Sequence, residues 1–403
     1  MLRSLFSGIT GLRQHQTLMD VVSNNIANVN TTGFKSSSVT FQDTLSQLVR
    51  AAASPGNGVG GINPAQVGLG VQLGSITSNF GQGSAQNTGK STDLMIQGDG
   101  FFIVRNGNDT NFTRAGAFTF DTSGRLVNPE GMIVQGWLGE DGTVNTDGAV
   151  EDLVIPAGTL IPPIASDTVT VGGNIPSGTT SDLTLSQTVY DSAGNAHDLS
   201  IVFSVSAAVD GFDIDITDTT DGTSVPTAGT VAFNADGSYD STSGDSVAPY
   251  ITLADSTVVT LDITGITRYG GSKSLGVSES TGAAAGSLQS FQISKNGDVI
   301  GVFSNGEKLT MATIALANFN NPMGLEKIGG TCFQSTTNSG IAQVGTPMSG
   351  GRGSLLGSAL EMSNVDLAQE FTNLIIAQRG FQANSRVITT SDRMLQDLVD
   401  LKR

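Results

Sequence analysis

Charge is scarce in this chain. Asp, Glu, Lys and Arg make up 14% of its 403 residues, against the usual quarter. Aromatic anchors are scarcer still, with Trp137 the single tryptophan and four tyrosines in all, too few to line a cleft with the ring platforms of a carbohydrate binder. Cysteine occurs once, at Cys332, which excludes an internal disulfide, and no histidine stands near it to make it a nucleophile. The two histidines, His15 and His197, are too few for a metal cluster. No apolar run approaches a membrane span. At the N-terminus, Arg3 and Arg13 accompany a segment that Ser4, Ser7, Thr10 and Gln14 interrupt, so it does not read as a cleavable signal. Any export is expected to keep the N-terminus.

What is plentiful points to strands and turns. Apolar residues are 38% of the chain and glycine is present 52 times, a balance suited to many short strands joined tightly. The net charge of -17 is concentrated: Leu138 to Ser290 holds twenty acidic residues against only Arg268 and Lys273. Such a block repels phosphates, which argues against nucleic acid as a partner. The rest is nearly neutral, and that is where close packing between chains is expected.

The two ends carry helical periodicity. Leu367, Leu374, Phe381, Ile388 and Leu395 stand seven apart, with Phe371 and Val399 on a second seam that otherwise reads Gln378, Ser385 and Asp392. Ser363 or Asn364 is expected to cap this helix, with Asp366 and Glu370 at its positive end. Leu5, Leu12, Met19 and Ile26 repeat the spacing at the N-terminus, with Leu2 and Ile9 beginning a second stripe, until Asn28-Val-Asn-Thr-Thr-Gly33 stops it. Pairing of the two helices as an ordinary intrachain core is one solution. The reading favoured here is that seams this narrow, with no third helix, drive both ends toward neighbouring chains, leaving them poorly ordered in the free monomer.

Between the helices the period falls to two. Leu94–Gln97, Gly98-Asp-Gly and Phe101–Arg105, ending at Asn106-Gly, predict a hairpin, and similar segments run from Leu288 to Leu316. The fold class expected is mainly β with α-helical termini. Residues 1–35 and 360–403 form a helical polymerisation domain, and 36–71 an extended Gly/Pro-rich connector. An inner β-domain takes 72–140 and 286–359, with an acidic outer β-domain inserted at 141–285. Candidate chemistry is weak. Gly56-x-Gly58-x-x-Gly61 matches a dinucleotide fingerprint by letter but lacks the strand and helix that motif needs. Asp191–Asp198 reads as a hairpin turn rather than a calcium loop, and Asp213, Asp215 and Asp218 as the solvent face of a strand. No catalytic residue, cofactor or metal is predicted.

Ser23-Asn-Asn-Ile-Ala-Asn-Val-Asn-Thr-Thr-Gly-Phe-Lys35 resembles the N-terminal signature of the flagellar rod and hook family. Leu360-Glu-Met-Ser-Asn-Val-Asp-Leu367, Ala377-Gln-Arg-Gly-Phe-Gln-Ala-Asn-Ser385 and Ile388–Leu395 resemble its C-terminal signature. Thr188–Asp198 and Ala315–Leu325 are similar to the hook branch of the family, the distal rod being the alternative. The resemblance implies terminal helices lining a tube, β-domains outside, export by the flagellar type III apparatus, and a bend that passes motor torque. The partners it implies are further copies of the chain, the distal rod protein, the hook cap and the hook–filament junction. Asn24, Asn25, Asn28, Gly33 and Phe34, with Gln378, Arg379 and Asn384, are the polar and turn positions expected at the polymer joint, beside the apolar stripe positions above.

Overall fold

The computed structural model describes residues 2–400 except 53, 56–59, 141, 157, 208–209 and 242–247. Gly56 and Gly58 of the dinucleotide-like letters therefore lie outside the described residues. Mostly β secondary structure is bracketed by two helices, α1 (Leu2–Ala27) and α2 (Leu367–Asp400). The chain divides into unit 1, made of Met1–Pro156, Gln292–Ile300 and Thr310–Arg403, and unit 2, made of Ala157–Phe291 and Gly301–Leu309. Among the described residues no helix is long and apolar enough to cross a membrane.

In unit 1, α1 ends where the turn formers begin. Asn28 Nδ2 donates to the Asn24 carbonyl, and the chain then turns through Thr31 N to Asn28 O. Residues 36–71, expected as an extended connector, instead carry strands. β1 (Ser37–Asp43) pairs antiparallel with β4 (Val71–Ser78), and β2 (Ser46–Arg50) with β3 (Ala65–Gly68). Val39, Phe41, Leu48, Val67, Leu73 and Ile76 supply β-formers that the nearby glycines and prolines obscured.

The body of unit 1 is built on the hairpin of Phe101–Asn106 with Asp109–Thr113, which turns at Gly107 with φ +60. Phe101–Asn106 also pairs Ile133–Glu140 and Leu316–Asn318, and Asp109–Thr113 pairs Cys332–Gln334. Thr143–Val144 and Glu151–Asp152 pair with Ile133–Glu140 and so belong here too. Leu94–Gln97 is not the partner expected for Phe101–Arg105. It pairs Ser354–Gly357, and Leu94, Met95 and Ile96 are all buried, so a continuous apolar run marks an interior strand rather than a hairpin arm. The core gathers Phe101, Phe112, Trp137, Phe319 and Phe333, with Phe112 edge-on to Phe319 at 4.8 Å.

Unit 2 holds two four-stranded sheets. One orders Tyr250–Thr252, Val258–Thr267, Thr168–Asn174 and Gly276–Ser280, and the other is the meander Leu183–Tyr190, Ala196–Val205, Gly211–Asp218 and Ser224–Ala232. Their alternating inner residues, such as Val169, Leu261, Ile201 and Ile214, form one buried cluster. Asp213 and Asp215 are half-exposed on the outer face, as expected, but Asp218 is wholly buried. It shares the parity of Ile214 and Ile216, and that parity puts it inside.

Gly33 tests how tightly the terminal turn is fixed. Its φ is +69, and a Cβ there would stand 2.5 Å from the Ala115 nitrogen. Gly33→Ala is expected to destabilise unit 1 by about 2 kcal/mol or more, read as a lower denaturation midpoint of Trp137 fluorescence.

Candidate assembly surface and its anchoring joint

The two terminal helices pack on each other within the chain, antiparallel, which the sequence reading had placed second. Ser4 Oγ lies 3.4 Å from Ser391 Oγ at one end, and Asn25 Nδ2 donates to Glu370 Oε1 at 3.1 Å toward the other. Between them a Cβ on Gly8 would sit 3.3 Å from Ile388, one on Gly11 2.7 Å from Asn384 Nδ2, and one on Gly380 would strike the His15 ring. Val22 and Ala377 are buried. The seam thus runs through small and polar residues, and glycine lets the backbones come close.

The predicted apolar stripes divide between the seam, where Ile388 packs toward Gly8, and its flanks. Leu5, Ile9, Leu12, Met19 and Ile26 are half-buried, as are Leu374, Ile388 and Leu395. Phe371 stays 50% exposed and Ile375 and Ile376 57% each, with Leu367, Phe381, Val387, Met394 and Val399 also exposed. At about 100° per residue, Leu367, Phe371, Ile375 and Phe381 fall on one side of the α2 seam. Ile376, Val387 and Met394 fall on the other. Gln378 and Arg379 are exposed, whereas Asn384 lies on the seam, its Nδ2 donating to the Gly380 carbonyl. Gln14 Oε1, His15 Nδ1 and Glu370 Oε2 are buried without a hydrogen-bond partner. The pair is thus a unit with two apolar flanks uncovered within the chain.

What holds the pair to the β-body is a buried charge cluster that sequence periodicity did not flag. Lys35 Nζ meets Glu361 Oε1 at 2.6 Å, with both side chains inaccessible to solvent, and also donates to the Gly81 carbonyl at 2.9 Å. Gly83 N donates to the same Glu361 oxygen, and Arg114 Nη1 stands 3.5 Å from Oε2 with its guanidinium over the Phe101 ring. Burial pushes the Lys35 ammonium below its usual value, Glu361 opposes that shift, and the Arg114 charge adds to it. Burial likewise lowers Arg114 and Lys327.

The two signature segments meet around this cluster. Gly33 N donates to the Glu361 carbonyl, and Asn364 Oδ1 accepts from Ser36 N while its Nδ2 reaches the Asn79 and Gly81 carbonyls. Asn364 is therefore a cross-link rather than the expected cap, and Asp366 Oδ1 caps α2 by accepting from Ala368 N and Gln369 N. Asn25 bonds Ser37 through both its amide groups and ties α1 to the start of β1. Asn24 is exposed and Asn28 closes the turn. Phe34 lies under Lys327 Nζ at 5.2 Å, beside a groove of about 450 Å³ bordered by Glu130, Cys332 and Phe333. Burial, with the nearby Glu130 charge, pushes the Cys332 thiol up to about 11, so it is held as an unreactive thiol. A lysine two residues beyond a turn glycine and a glutamate six residues before a helix were the available signals, but nothing in their spacing says that they meet.

Four family profiles match the chain in order. They are the flagella basal body rod protein (residues 5–35), the flagellar hook protein FlgE/F/G D1 domain (95–182), the flagellar basal body protein FlaE D2 domain (173–283) and the flagellar basal body rod FlgEFG protein C-terminal region (356–401). The flagellar hook protein FlgE of Treponema pallidum is 40% identical and that of Borreliella burgdorferi 37%, each over 100% of both chains. The Helicobacter pylori hook protein FlgE2 crystal structure aligns with 69% of this chain and 100% of its own, at TM-score 0.52 and 14% identity, which speaks to the fold.

Glu361→Gln, which leaves Lys35 buried without its counter-charge and Arg114 facing only the Asp99 charge, is expected to cost unit 1 about 3–5 kcal/mol in Trp137-monitored denaturation. Lys35→Met should cost less, because Arg114 still faces the carboxylate.

Proposed function

The chain belongs to the flagellar hook protein family, and from that premise we propose that its helix pairs pack side by side to build the hook tube. The observation that carries this is the pair of exposed apolar stripes on α2, one on each side of the intrachain seam. A neighbour on either side covers both, as repetition around a tube requires. Each Leu, Ile or Phe so covered contributes roughly 1.5–3 kcal/mol. In this arrangement the terminal helices are the polymerisation domain and the β-rich units lie outside them.

The tube acts as a flexible joint that passes motor torque to the filament. Its subunits travel through the flagellar type III apparatus with the N-terminus retained. They meet the distal rod at one end, and the hook cap and then the junction protein at the other. The work is mechanical, without an enzymatic step. A straight distal rod is the competing assignment. The inserted acidic unit, and relatives that carry the hook name at 37–40% identity, favour the hook.

Phe371→Ser with Ile375→Ser is expected to raise the concentration needed for polymerisation at least about tenfold, or 1.4 kcal/mol. Monomer stability should stay within about 0.5 kcal/mol, since both side chains are exposed there. Electron microscopy of polymer grown from the unaltered chain should show curved tubes. Normal tubes from the double variant would refute the stripe assignment, and rigid straight tubes from the unaltered chain would move it to the rod.

A further inference from the structure

The imidazole of His197 stands in unit 2 among carboxylates, and the assembly surface makes no use of it. Its Nδ1 is 2.6 Å from Asp218 Oδ2 and 3.3 Å from Asp221 Oδ2, and its Nε2 is 3.7 Å from Asp191 Oδ2. His197 is 5% exposed and Asp218 not at all. A neutral imidazole carries one N–H, so whichever nitrogen is bare turns a lone pair toward a carboxylate oxygen. Asp191 Oδ2 already accepts from Asn195 Nδ2 at 2.8 Å, so on that side the protonated ring supplies charge rather than a hydrogen bond.

The groups around the ring belong to turns at one end of both sheets. Asp191 opens the turn after Leu183–Tyr190 and accepts at Oδ1 from Ala193 N and Asn195 N. Asp218 ends Gly211–Asp218 and its Oδ1 accepts from Thr220 N. Ser192 donates through N and Oγ to Asp255, in the turn between Tyr250–Thr252 and Val258–Thr267 of the other sheet. Asp198, beside the ring in sequence, is occupied by Thr188 Oγ1. Among the described residues, Asp191, Asp198, Asp218, Asp221 and Asp255 are the charged groups that face this region.

The Asp191–Asn195 turn also touches segments near the two ends of the Ala157–Phe291 stretch of unit 2. A Cβ on Gly194 would lie 2.7 Å from Pro163 and 3.5 Å from Ala285 N. Those segments pair as Leu160 with Ser287 and Ile161 with Gly286, extended by the Ile164–Ala283 bridge.

We propose that protonated His197 is a clasp that holds these turns of unit 2 together, and that it releases them as pH rises. Loss of the proton removes the positive charge that faces the buried Asp218 and the Asp191 and Asp221 carboxylates. The Asp191–Asn195 turn then loosens from Pro163 and from Asp255. Burial of the ring opposes its charge, but the Asp218 hydrogen bond and the Asp218 and Asp221 charges outweigh that and raise the pKa. A raised folded-state value gives stability that is fully present below the unfolded histidine value and lost as pH rises through the folded one. The inference rests on unit 2 alone and is tested on dilute monomer, so its failure leaves the assembly reading untouched.

With only two histidines in the chain, histidine-labelled, chelator-treated full-length monomer can be followed by NMR across pH, His15→Gln assigning the signals. His197 is expected to titrate above the ordinary histidine value, and Asp221→Asn, at a partly exposed side chain, to lower its midpoint without unfolding. Amide exchange at residues 191–195 and 219–223, corrected for intrinsic pH dependence, should quicken about tenfold as the ring deprotonates. In His197→Gln it should be fast at every pH. A titration at or below the ordinary value, an Asp221→Asn midpoint that does not fall, or turn exchange unchanged across the titration would each overturn the clasp.

Discussion

The ion pair between Lys35 and Glu361 is the constraint on which the rest of unit 1 depends. It closes a gap of more than three hundred residues of sequence, and it does so where water does not reach. A charge placed there without its partner would be strongly unfavourable, so the two signature segments are bound to meet in one geometry. Gly33, Asn25 and Asn364 then follow from that meeting: each bonds backbone or side chain of the opposite segment or of β1. The departure angle of both helices is fixed by polar groups at their base, which leaves their flanks available for other contacts.

The helix pair has an inside that mixes Gly8, Gly11, Asn384 and Ser391 with Val22, Ala377 and Ile388, and an outside that includes Phe371, Ile375, Ile376 and Met394. An apolar seam would complete a stable intrachain pair and leave little reason to associate. In the proposed assembly, a seam rich in small and polar residues holds the helices in register and leaves the larger apolar area of α2 for neighbours. A subunit that must remain separate before assembly and then pack tightly is well served by that inversion.

The helices, the β-rich middle, the stop at Asn28–Gly33 and the acidic segment were all legible, because each rests on local periodicity, turn chemistry or composition. The heptad positions were legible as apolar, and the favoured reading turned them toward neighbours, but a stripe of leucine and phenylalanine does not say that Leu374, Ile388 and Leu395 are half-buried while Phe371 and Phe381 stay exposed. The ribbon of β1 to β4 was hidden by glycines and prolines around it. Glu361 was quoted only as part of a signature, and its pairing with Lys35 depends on tertiary closure that no local pattern encodes. Asp218 is a different case: strand parity already placed it inward beside Ile216, and the general rule that aspartate faces solvent overrode a better signal.

The central claim is that the joint is complete in the monomer while the α2 flanks are completed only in the polymer. Hydrogen exchange compared between dilute monomer and assembled polymer tests it most directly. The account predicts equal protection at Gly33–Lys35 and Ala359–Glu361 in both states. Between Leu367 and Phe381 it predicts exchange that slows markedly on assembly. Unchanged exchange along α2 in the polymer, or an unprotected joint in the monomer, would contradict it.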